Sequence, residues 1–505
     1  MRYINGNNRN QMKILSYDCL IPENHIVRAV DAFIDLLDLA VFKLKYIEPK
    51  EIGRKAYSPK AMLKLYLYGY TQRIRSSRDL EKATHENQPF IWLMNELKPC
   101  FKTISNFRKD NKGSFKKVFR AFNKYCYGMK LIDLELVAID GTYIDAVNHN
   151  GKNYTKKKLN DILRKIDKQI DAYLKTIDAQ DRVTQDSDLT LDELKAKKEH
   201  YQSLIERANE SGATQVSLTD PDSRMMTKAG SKSDVSYNGQ IVVDGKENLI
   251  VEHEVTNDGN DMHQLAKMSN LTKNTYNTDE LSVVADKGYS NGKEIKECNE
   301  NNIKTYVPIK NDDHLKSSDF STNKFIYNRD NDTYTCPNDR VLPLRHFYKS
   351  KDTKEYGNQK ICKGCEFKNE CISGKRKLHR AISRSIYRDT IEKQREINKE
   401  NQEIISRRKS IVEHPFGTIK RAMNQSYFLT KGLEMVNGEF SLTCLAYNLR
   451  RVFNILGIDR MIASMKSFFD KEASKLPLFW SYFSIFMRNL VNMFQIHSKL
   501  AISRN

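Results

Sequence analysis

The sequence predicts a mixed α/β core that lies next to helical segments and is interrupted by two insertions. Residues 134–139 form a short apolar run closed by turn residues, which is typical of a strand buried on both faces. Residues 281–285 repeat this design, and the runs 237–243 and 249–255, separated by a turn with Asp244, predict a hairpin. The predicted core elements follow one another as strand, hairpin, helix, strand, helix and strand, the last two at 291–298 and 303–309.

Charge and length restrict the classes of protein to consider. The chain has 505 residues, too many for one compact core, and carries a net charge of +20 with a pI near 9.3. Such an excess favours a polyanionic partner, with nucleic acid first and an anionic membrane surface second. The longest apolar stretch, Leu476–Met487, contains Pro477 and is too short to span a bilayer. No signal peptide is evident, so we expect no membrane association, a cytoplasmic protein and reduced cysteines.

The first 130 residues are predicted to be helical and rich in aromatic and basic residues. Ser58-Pro59 is a typical helix start, and a second short helix follows the basic turn with Arg73 and Arg75. Two short helices joined in this way could form a helix-turn-helix-like DNA reader, although an ordinary helical bundle with solvated basic residues is an open alternative. The segment 103–108, which ends at Arg108, is a second candidate for DNA contact.

Three carboxylates occupy positions that suggest chemistry. Asp140 follows the first predicted strand and is itself followed by Gly141, which would let the backbone bend away. Asp286 ends the 281–285 strand, and Glu413 lies in a basic, helix-prone segment. Each acid alone is unremarkable, and Asp140-Gly141 alone would be read as a turn. Brought together, the three could hold two divalent metals about 4 Å apart, an arrangement suited to phosphodiester displacement.

The sequences around these acids resemble the signature blocks of DDE insertion-sequence transposases. The blocks are Asp140-Gly-Thr, Asp286-Lys-Gly-Tyr and Glu413-His-Pro-Phe-Gly-Thr-Ile-Lys, with supporting blocks at 219–224 and 255–261. The resemblance covers roughly residues 15 to 455. It implies a ribonuclease H-like core in which Asp140, Asp286 and Glu413 are catalytic and bind two Mg²⁺ (or Mn²⁺) ions. It also implies that DNA is the partner, as element ends and target, bound by a homodimer or larger synaptic assembly in the cytoplasm at the nucleoid.

Basic residues near the acids are candidate DNA contacts. Relatives have a lysine seven positions after the glutamate, here Lys420, and an arginine four before it, where this chain has Lys409 beside Arg408. Ser406 stands where that pattern has tyrosine. The predicted DNA-binding set is Lys409, Lys420, Arg421, Lys287, Arg408, Arg73, Arg75 and Arg108. Two alternatives stay open: an inactive transposase-derived DNA-binding protein, and a metal-dependent nuclease without strand transfer.

Two insertions complete the predicted organisation. A heptad-like stripe beginning at Leu159 and a capping box at Thr190 predict a helical hairpin at 155–210. Four cysteines cluster in the insertion at 311–389, and the spacing of Cys362 and Cys365 is that of a zinc knuckle. The predicted zinc ligands are Cys336, Cys362, Cys365 and Cys371, with His379 as a weaker substitute and an unmetallated remnant as the alternative. The basic region that follows, including 375–377, is predicted to track phosphates.

The predicted domains follow from these elements. They are a helical DNA-binding domain at 1–130, a ribonuclease H-like catalytic core at 131–310 and 390–455, the basic cysteine-cluster insertion at 311–389, and a helical tail at 456–505.

Overall fold

The computed structural model describes residues 14, 16–48, 55–147, 153–179, 191–210, 215–227, 233–309, 320–372 and 379–474. They form two compact units. The helical unit holds the described residues up to Ile132 and from Thr418 onward, and the sheet unit spans Asp133–Gly417. The predicted cap at Thr190, the basic residues 375–377 and the apolar stretch 476–487 lie outside the described residues. Within the described ranges, no helix is both long and apolar enough to cross a membrane.

The N-terminal part of the helical unit is a bundle around one buried helix. Its helices are α1 (Ile26–Leu36), α2 (Pro59–Thr71), α3 (Ser77–Glu86), α4 (Gln88–Leu93), α5 (Phe101–Asp110) and α6 (Phe115–Gly128). Pro59 occupies the first turn of α2, as the sequence predicts, and every residue from Met62 to Thr71 is buried. A helix buried on all sides serves as a core element. This arrangement agrees with the helical-bundle alternative for the segment.

The sheet unit is built on one mixed sheet. Its first strands are β1 (Val137–Asp145), β2 (Asn153–Thr155), β3 (Gln215–Ser217), β4 (Arg224–Thr227), β5 (Ser233–Asp244), β6 (Ile250–Thr256), β7 (Leu281–Ala285) and β8 (Ile303–Tyr306). In the described part, the sheet order is β4-β5-β1-β7-β8, β6 pairs with β5 as well, and β2 pairs with β3 separately. β5 and β6 form the predicted hairpin, so that prediction is confirmed. β1, β7 and β8 run parallel, and β5 runs antiparallel to β1.

β1 differs from its prediction in where it ends. The sequence predicts a strand that stops at Asp140, whereas β1 continues to Asp145. The physical reason is its long partner, because β5 pairs with β1 along its whole length, from Val137↔Asp244 to Asp145↔Ser236. The prediction of a bend at Gly141 is therefore wrong, because Gly141 lies within β1 and pairs with Gln240.

Helices cover the sheet and form the first insertion. They are α7 (Lys156–Ala179), α8 (Leu191–Glu210), α9 (Leu265–Tyr276) and α10 (Gly292–Glu300). The predicted insertion at 155–210 corresponds to α7 and α8, which pack on each other. Their small separate core contains Leu159, Leu204, Ala208 and Val216.

The cysteine-containing insertion is a second, antiparallel sheet in the order β13-β12-β11-β10-β9. Its strands are β9 (Ile326–Asn328), β10 (Thr333–Thr335), β11 (Val341–Tyr348), β12 (Thr353–Tyr356) and β13 (Ile382–Ser385), and its short helices are α11 (Gln359–Lys363) and α12 (Lys368–Cys371). A small core of Phe325, Tyr334, Leu342, Tyr356 and Ile382 holds it together.

The last helix of the sheet unit carries Glu413 and contains a proline. α13 (Arg388–Glu400) precedes α14 (Gln402–Gly417), which packs on β1, β5 and β7. Pro415 lacks the N–H that would bond to the carbonyl of Ile411 four residues earlier. Asn248, in the β5–β6 turn, donates its Nδ2 to the Ile411 carbonyl at 3.0 Å and to the Ser410 carbonyl at 3.1 Å. The hairpin turn thus satisfies the carbonyl that Pro415 leaves without its helical partner.

The remaining helices belong to the helical unit. After a π-helical turn at Thr418–Ala422 come α15 (Leu433–Leu456) and α16 (Ile458–Ser474). α15 packs against α2 and α6, and α16 packs against α1. The sequence prediction placed 390–455 with the catalytic core. The structure moves that boundary to 417/418, because the buried face of α15 completes the core of the N-terminal helices.

Candidate active site

Strand register brings Asp140 and Asp286 to the same edge of the sheet. The last parallel pair between β1 and β7 is Ile139↔Ala285, so Asp140 and Asp286 are the next residues along the two neighbouring strands. The carboxyl ends of parallel strands are where α/β sheets commonly carry functional groups. Asp286 also begins a 3₁₀ turn (Lys287–Tyr289) and accepts the Gly288 N–H at 2.5 Å. Its carboxylate is thereby fixed at the strand end.

A buried amide network adds a third acid, Asp261, to this edge. Asn238 and Gln240 on β5 donate their side-chain amides to Asp261 Oδ1 at 2.8 and 2.6 Å. Tyr289 donates its hydroxyl to Gln240 Oε1 at 2.5 Å. Gly141 lies directly opposite Gln240, and a Cβ there would be 2.3 Å from Gln240 Nε2 and 2.7 Å from Asp261 Oδ1. Glycine is required at this position because the amide and Asp261 approach the strand so closely.

Asp140 experiences several charges at once. Burial raises the pKa of Asp140 to about 6, the charge of Arg408 opposes that rise, and the carboxylates of Asp286 and Asp261 add to it. Arg408 Nη1 lies 3.3 Å from Asp140 Oδ2, and the two side chains are only 18% and 23% exposed. The site is therefore a partly buried group of acids with one basic side chain turned toward Asp140.

The rotational setting of α14 presents Arg408, rather than Glu413, to Asp140. Arg408 shares a helix face with the buried residues Val412 and Pro415, four and seven positions later. Glu413 is exposed. At 100° per residue, Glu413 points about 140° away from Arg408. The structure thus brings Asp140 and Asp286 together and leaves Glu413 on the solvent side of its helix.

The clustered side chains of Asp140, Asp286 and Asp261 are of a chemical type that suits a hard divalent cation. Carboxylate oxygens are the ligands that Mg²⁺ and Mn²⁺ prefer. The repulsion that Asp286 and Asp261 exert on Asp140 would be relieved by a cation among them. As placed, no three His, Cys, Asp or Glu side chains of the described ranges form a group that could hold a metal ion. Asp140 and Asp286 are the residues that would hold one.

The predicted DNA-binding residues divide into exposed and buried sets. Exposed are Arg73, Lys287, Lys409, Lys420 and Arg421. Lys420 and Arg421 lie in the π-helical turn after Gly417, so Lys420 is not on the same α-helix as Glu413. Arg108 is 7% exposed and lies over the Tyr66 ring. Its burial argues against the predicted contact with DNA.

Arg75 is committed to the interior of the helical unit. It is 3% exposed, and its Nη1 donates to Glu439 Oε1 at 3.0 Å and to Gln425 Oε1 at 2.7 Å. Its Nη2 donates to the Asn424 carbonyl at 2.6 Å, and its guanidinium lies over the Tyr427 ring. The predicted DNA contact by Arg75 is corrected to a structural one, because the guanidinium is buried and bonded to groups of the helical unit.

The four clustered cysteines lie near one another in the insertion. Cys336 and Cys371 pack against the same small core, and Asn338, in the turn after Cys336, donates to Cys365 Sγ at 3.8 Å. Burial raises the pKa of the Cys371 thiol, Arg380 lowers it, and Cys362, Cys336 and Cys365 each raise it further. Thiolates are common zinc ligands. Among the described residues, however, the positions of these cysteines do not form a group that could hold a metal ion.

Sequence reasoning missed the amide network. Asn238 and Gln240 are fully buried and two positions apart on one face of β5, between the apolar residues Tyr237 and Ile241. Polar residues that recur with a period of two in a buried strand were the available signal. In the sequence, Asp261 belongs only to a supporting block, and no local pattern links it to Asp140.

Comparison with protein families finds two matching segments. A family described as Transposase domain (DUF772) matches residues 15–110, and a family described as Transposase DDE domain matches residues 335–453. These matches support a DDE-type insertion-sequence transposase, so the resemblance stated from the sequence is confirmed. Glu413 lies inside a matched segment, whereas Asp140 and Asp286 lie between the two.

Comparison with individual proteins adds little. A solved structure, described as a cryo-EM structure of the piggyBac transposase synaptic complex with hairpin DNA, is 8% identical. The alignment covers 92% of this chain and 85% of that chain, with a TM-score of 0.29, which is too low to carry an inference. A search among curated proteins gave no match.

The raised pKa of Asp140 predicts a pH-dependent effect of Asp140→Asn. The pKa of Asp140 is near 3.8 in the unfolded chain and about 6 in the folded chain, so the folded chain binds this proton more tightly. The free energy of unfolding therefore falls as the pH rises from about 4 through about 6. The asparagine variant lacks this loss. We compare the free energy of unfolding of Asp140→Asn with that of the natural chain in buffer without divalent ions. The variant's value minus the natural chain's value should be about 1.4 kcal/mol higher at pH 8 than at pH 5.

Urea unfolding at the two pH values measures this difference. Asp279→Asn, at an exposed acid of the same unit, is the matched control and should show no such change. An equal effect of Asp140→Asn at both pH values would contradict the assignment.

Proposed function

We propose that this chain cuts the ends of a mobile DNA element and joins them to target DNA by metal-dependent phosphoryl transfer. The observation that carries the proposal is that Asp140, within β1, and Asp286, directly after β7, lie side by side where the parallel pairing of these two strands stops. The two transposase-family segments support it. The sheet order β6-β5-β1-β7-β8, with intervening helices α9 and α10, supports a ribonuclease H-like core as part of the same proposal.

The proposed roles follow the chemistry of each side chain. Asp140 and Asp286 hold the divalent ion, and Asp261, fixed by Asn238 and Gln240, limits where those carboxylates can lie. Glu413 is proposed as a further catalytic acid, on the strength of the family match over 335–453 rather than of any contact. A bound Mg²⁺ or Mn²⁺ would polarise a phosphoryl oxygen and activate water or a 3′-hydroxyl as nucleophile.

DNA is the proposed partner. The net charge of +20 supplies the nonspecific attraction, and exposed Lys287 and Lys409 lie in the same unit as the acids. Arg73, Lys420 and Arg421 are exposed on the helical unit and are proposed as further phosphate contacts. A homodimer or larger assembly on paired ends, in the cytoplasm at the nucleoid, completes the proposal.

A cleavage and joining assay tests this function. The purified chain is incubated with duplexes carrying the DNA that flanks its coding region, with Mg²⁺, Mn²⁺ or EDTA. We expect metal-dependent nicks with 3′-hydroxyl ends and joined products in a target plasmid. Nicks without joined products would indicate a nuclease, and binding without nicks would indicate an inactive DNA-binding descendant.

We also propose that Cys336, Cys362, Cys365 and Cys371 bind one zinc ion that fastens the insertion. The proximity of these thiols around the small core supports it. Metal analysis should give about one zinc per chain, lost in Cys362→Ser. Cys298→Ser, at a buried cysteine elsewhere in the sheet unit, is the control. A zinc content near zero in the natural chain would refute this proposal.

A further inference from the structure

Arg408 occupies an unusual position for a residue predicted to bind DNA. It lies on the buried face of α14 and turns toward Asp140, with Nη1 3.3 Å from Asp140 Oδ2. Ile411, Val412 and Pro415 are buried beside it, and Asn248 fixes the helix through the carbonyls of Ser410 and Ile411. The direction of Arg408 is therefore set by the packing of the whole helix.

The contact between Arg408 and Asp140 is an ion pair without hydrogen-bond geometry. Arg408 Nη1 is buried and has no hydrogen-bond partner among the described residues. A guanidinium held by directed bonds would be costly to move, whereas one held by charge alone can be exchanged for another cation. Among the described residues, Arg408 lowers the pKa of Asp140, whereas the acids Asp286 and Asp261 raise it.

We propose that Arg408 is an internal counter-ion that competes with the divalent cation for Asp140. This inference rests on the proposed function. In the metal-free chain the guanidinium neutralises Asp140. Metal entry requires Arg408 to leave Asp140, and a DNA phosphate is the alternative anion available to it. Metal binding and phosphate binding then favour each other, because each removes the competitor of the other.

The experiment measures Mn²⁺ affinity in the absence of DNA. Calorimetric titration at low ionic strength compares the natural chain with Arg408→Gln, Arg408→Lys, Asp140→Asn and, as matched control, Arg407→Gln at the exposed neighbouring arginine. We expect Arg408→Gln to bind Mn²⁺ about tenfold more tightly, because a partly buried charge repelling the metal has been removed. Arg407→Gln should match the natural chain, and Asp140→Asn should lose the site.

The outcomes separate the inference from the proposed function. If Arg408→Gln binds Mn²⁺ no more tightly than the natural chain while Asp140→Asn loses binding, the counter-ion is refuted and the metal site stands. If no variant shows an Asp140-dependent site, both fail. Arg408→Lys keeps the charge on a shorter side chain and should fall between the natural chain and Arg408→Gln. It keeps the test decisive if Arg408→Gln does not fold.

Discussion

Replacing Asp140 or Asp286 by asparagine is expected to reduce Mg²⁺-dependent cleavage by about a thousandfold or more, equivalent to about 4 kcal/mol of transition-state stabilisation. The two carboxylates lie side by side where the parallel pairing of β1 and β7 stops, so either substitution removes one of the two acids proposed to hold the metal. Asparagine has nearly the same shape as aspartate, so the fold should be kept. The affinity for the end DNA should change by less than about twofold, because phosphate contacts supply most of that affinity.

Cleavage of a labelled end duplex gives the rate, and fluorescence anisotropy gives the affinity. Asp279→Asn, an exposed acid of the same unit, should cleave normally. Full cleavage by Asp140→Asn or by Asp286→Asn would remove the basis of the proposed site.

Replacing Arg75 by methionine is expected to destabilise the helical unit by about 3–5 kcal/mol, because it leaves the Glu439 carboxylate buried without its cation. Glu439 is fully buried and also accepts from the backbone of Leu429 and Thr430. The melting temperature should fall by roughly 10 °C for a unit of this size. Arg75→Met combined with Glu439→Gln should be less destabilising than the sum of the two single changes.

Arg73→Asn is the matched control for Arg75→Met. Arg73 is exposed two positions earlier and has a positive φ of 65°, which asparagine tolerates. Its melting temperature should stay within about 2 °C of the natural chain. If Arg75 instead bound DNA, Arg75→Met would melt normally and lose DNA affinity, and that result would restore the prediction made from the sequence.

The sequence predicted the parts of the fold that depend on local patterns. The β-branched run before Asp286 became β7, the Asp244 turn joined the hairpin, and Pro59 began α2. Asp140 and Asp286 each follow such a run, and the register of β1 and β7 places the two residues side by side.

Other features could not be read from local patterns. The structural role of Arg75 depends on its ion pair with Glu439, more than 360 positions away in the sequence. The local sequence around a basic turn residue does not indicate such a distant partner. The rotation of α14 depended on which of its residues the sheet buries, and its mixed apolar pattern did not decide between Arg408 and Glu413. Asp261 joined the site through amides of β5, a contact that only the pairing of strands creates.

The division of the helical unit between the two ends of the chain has a consequence for biosynthesis. α6 ends at Gly128 and its partner α15 begins at Leu433, with the whole sheet unit encoded between them. At a synthesis rate of roughly 5–20 residues per second, about 15 to 60 s pass between the synthesis of α6 and that of α15. During that interval the apolar surface of α2 and α6 that α15 covers lacks its partner. The nascent chain is therefore expected to engage chaperones over this window, and truncation before residue 433 should yield aggregated rather than folded protein.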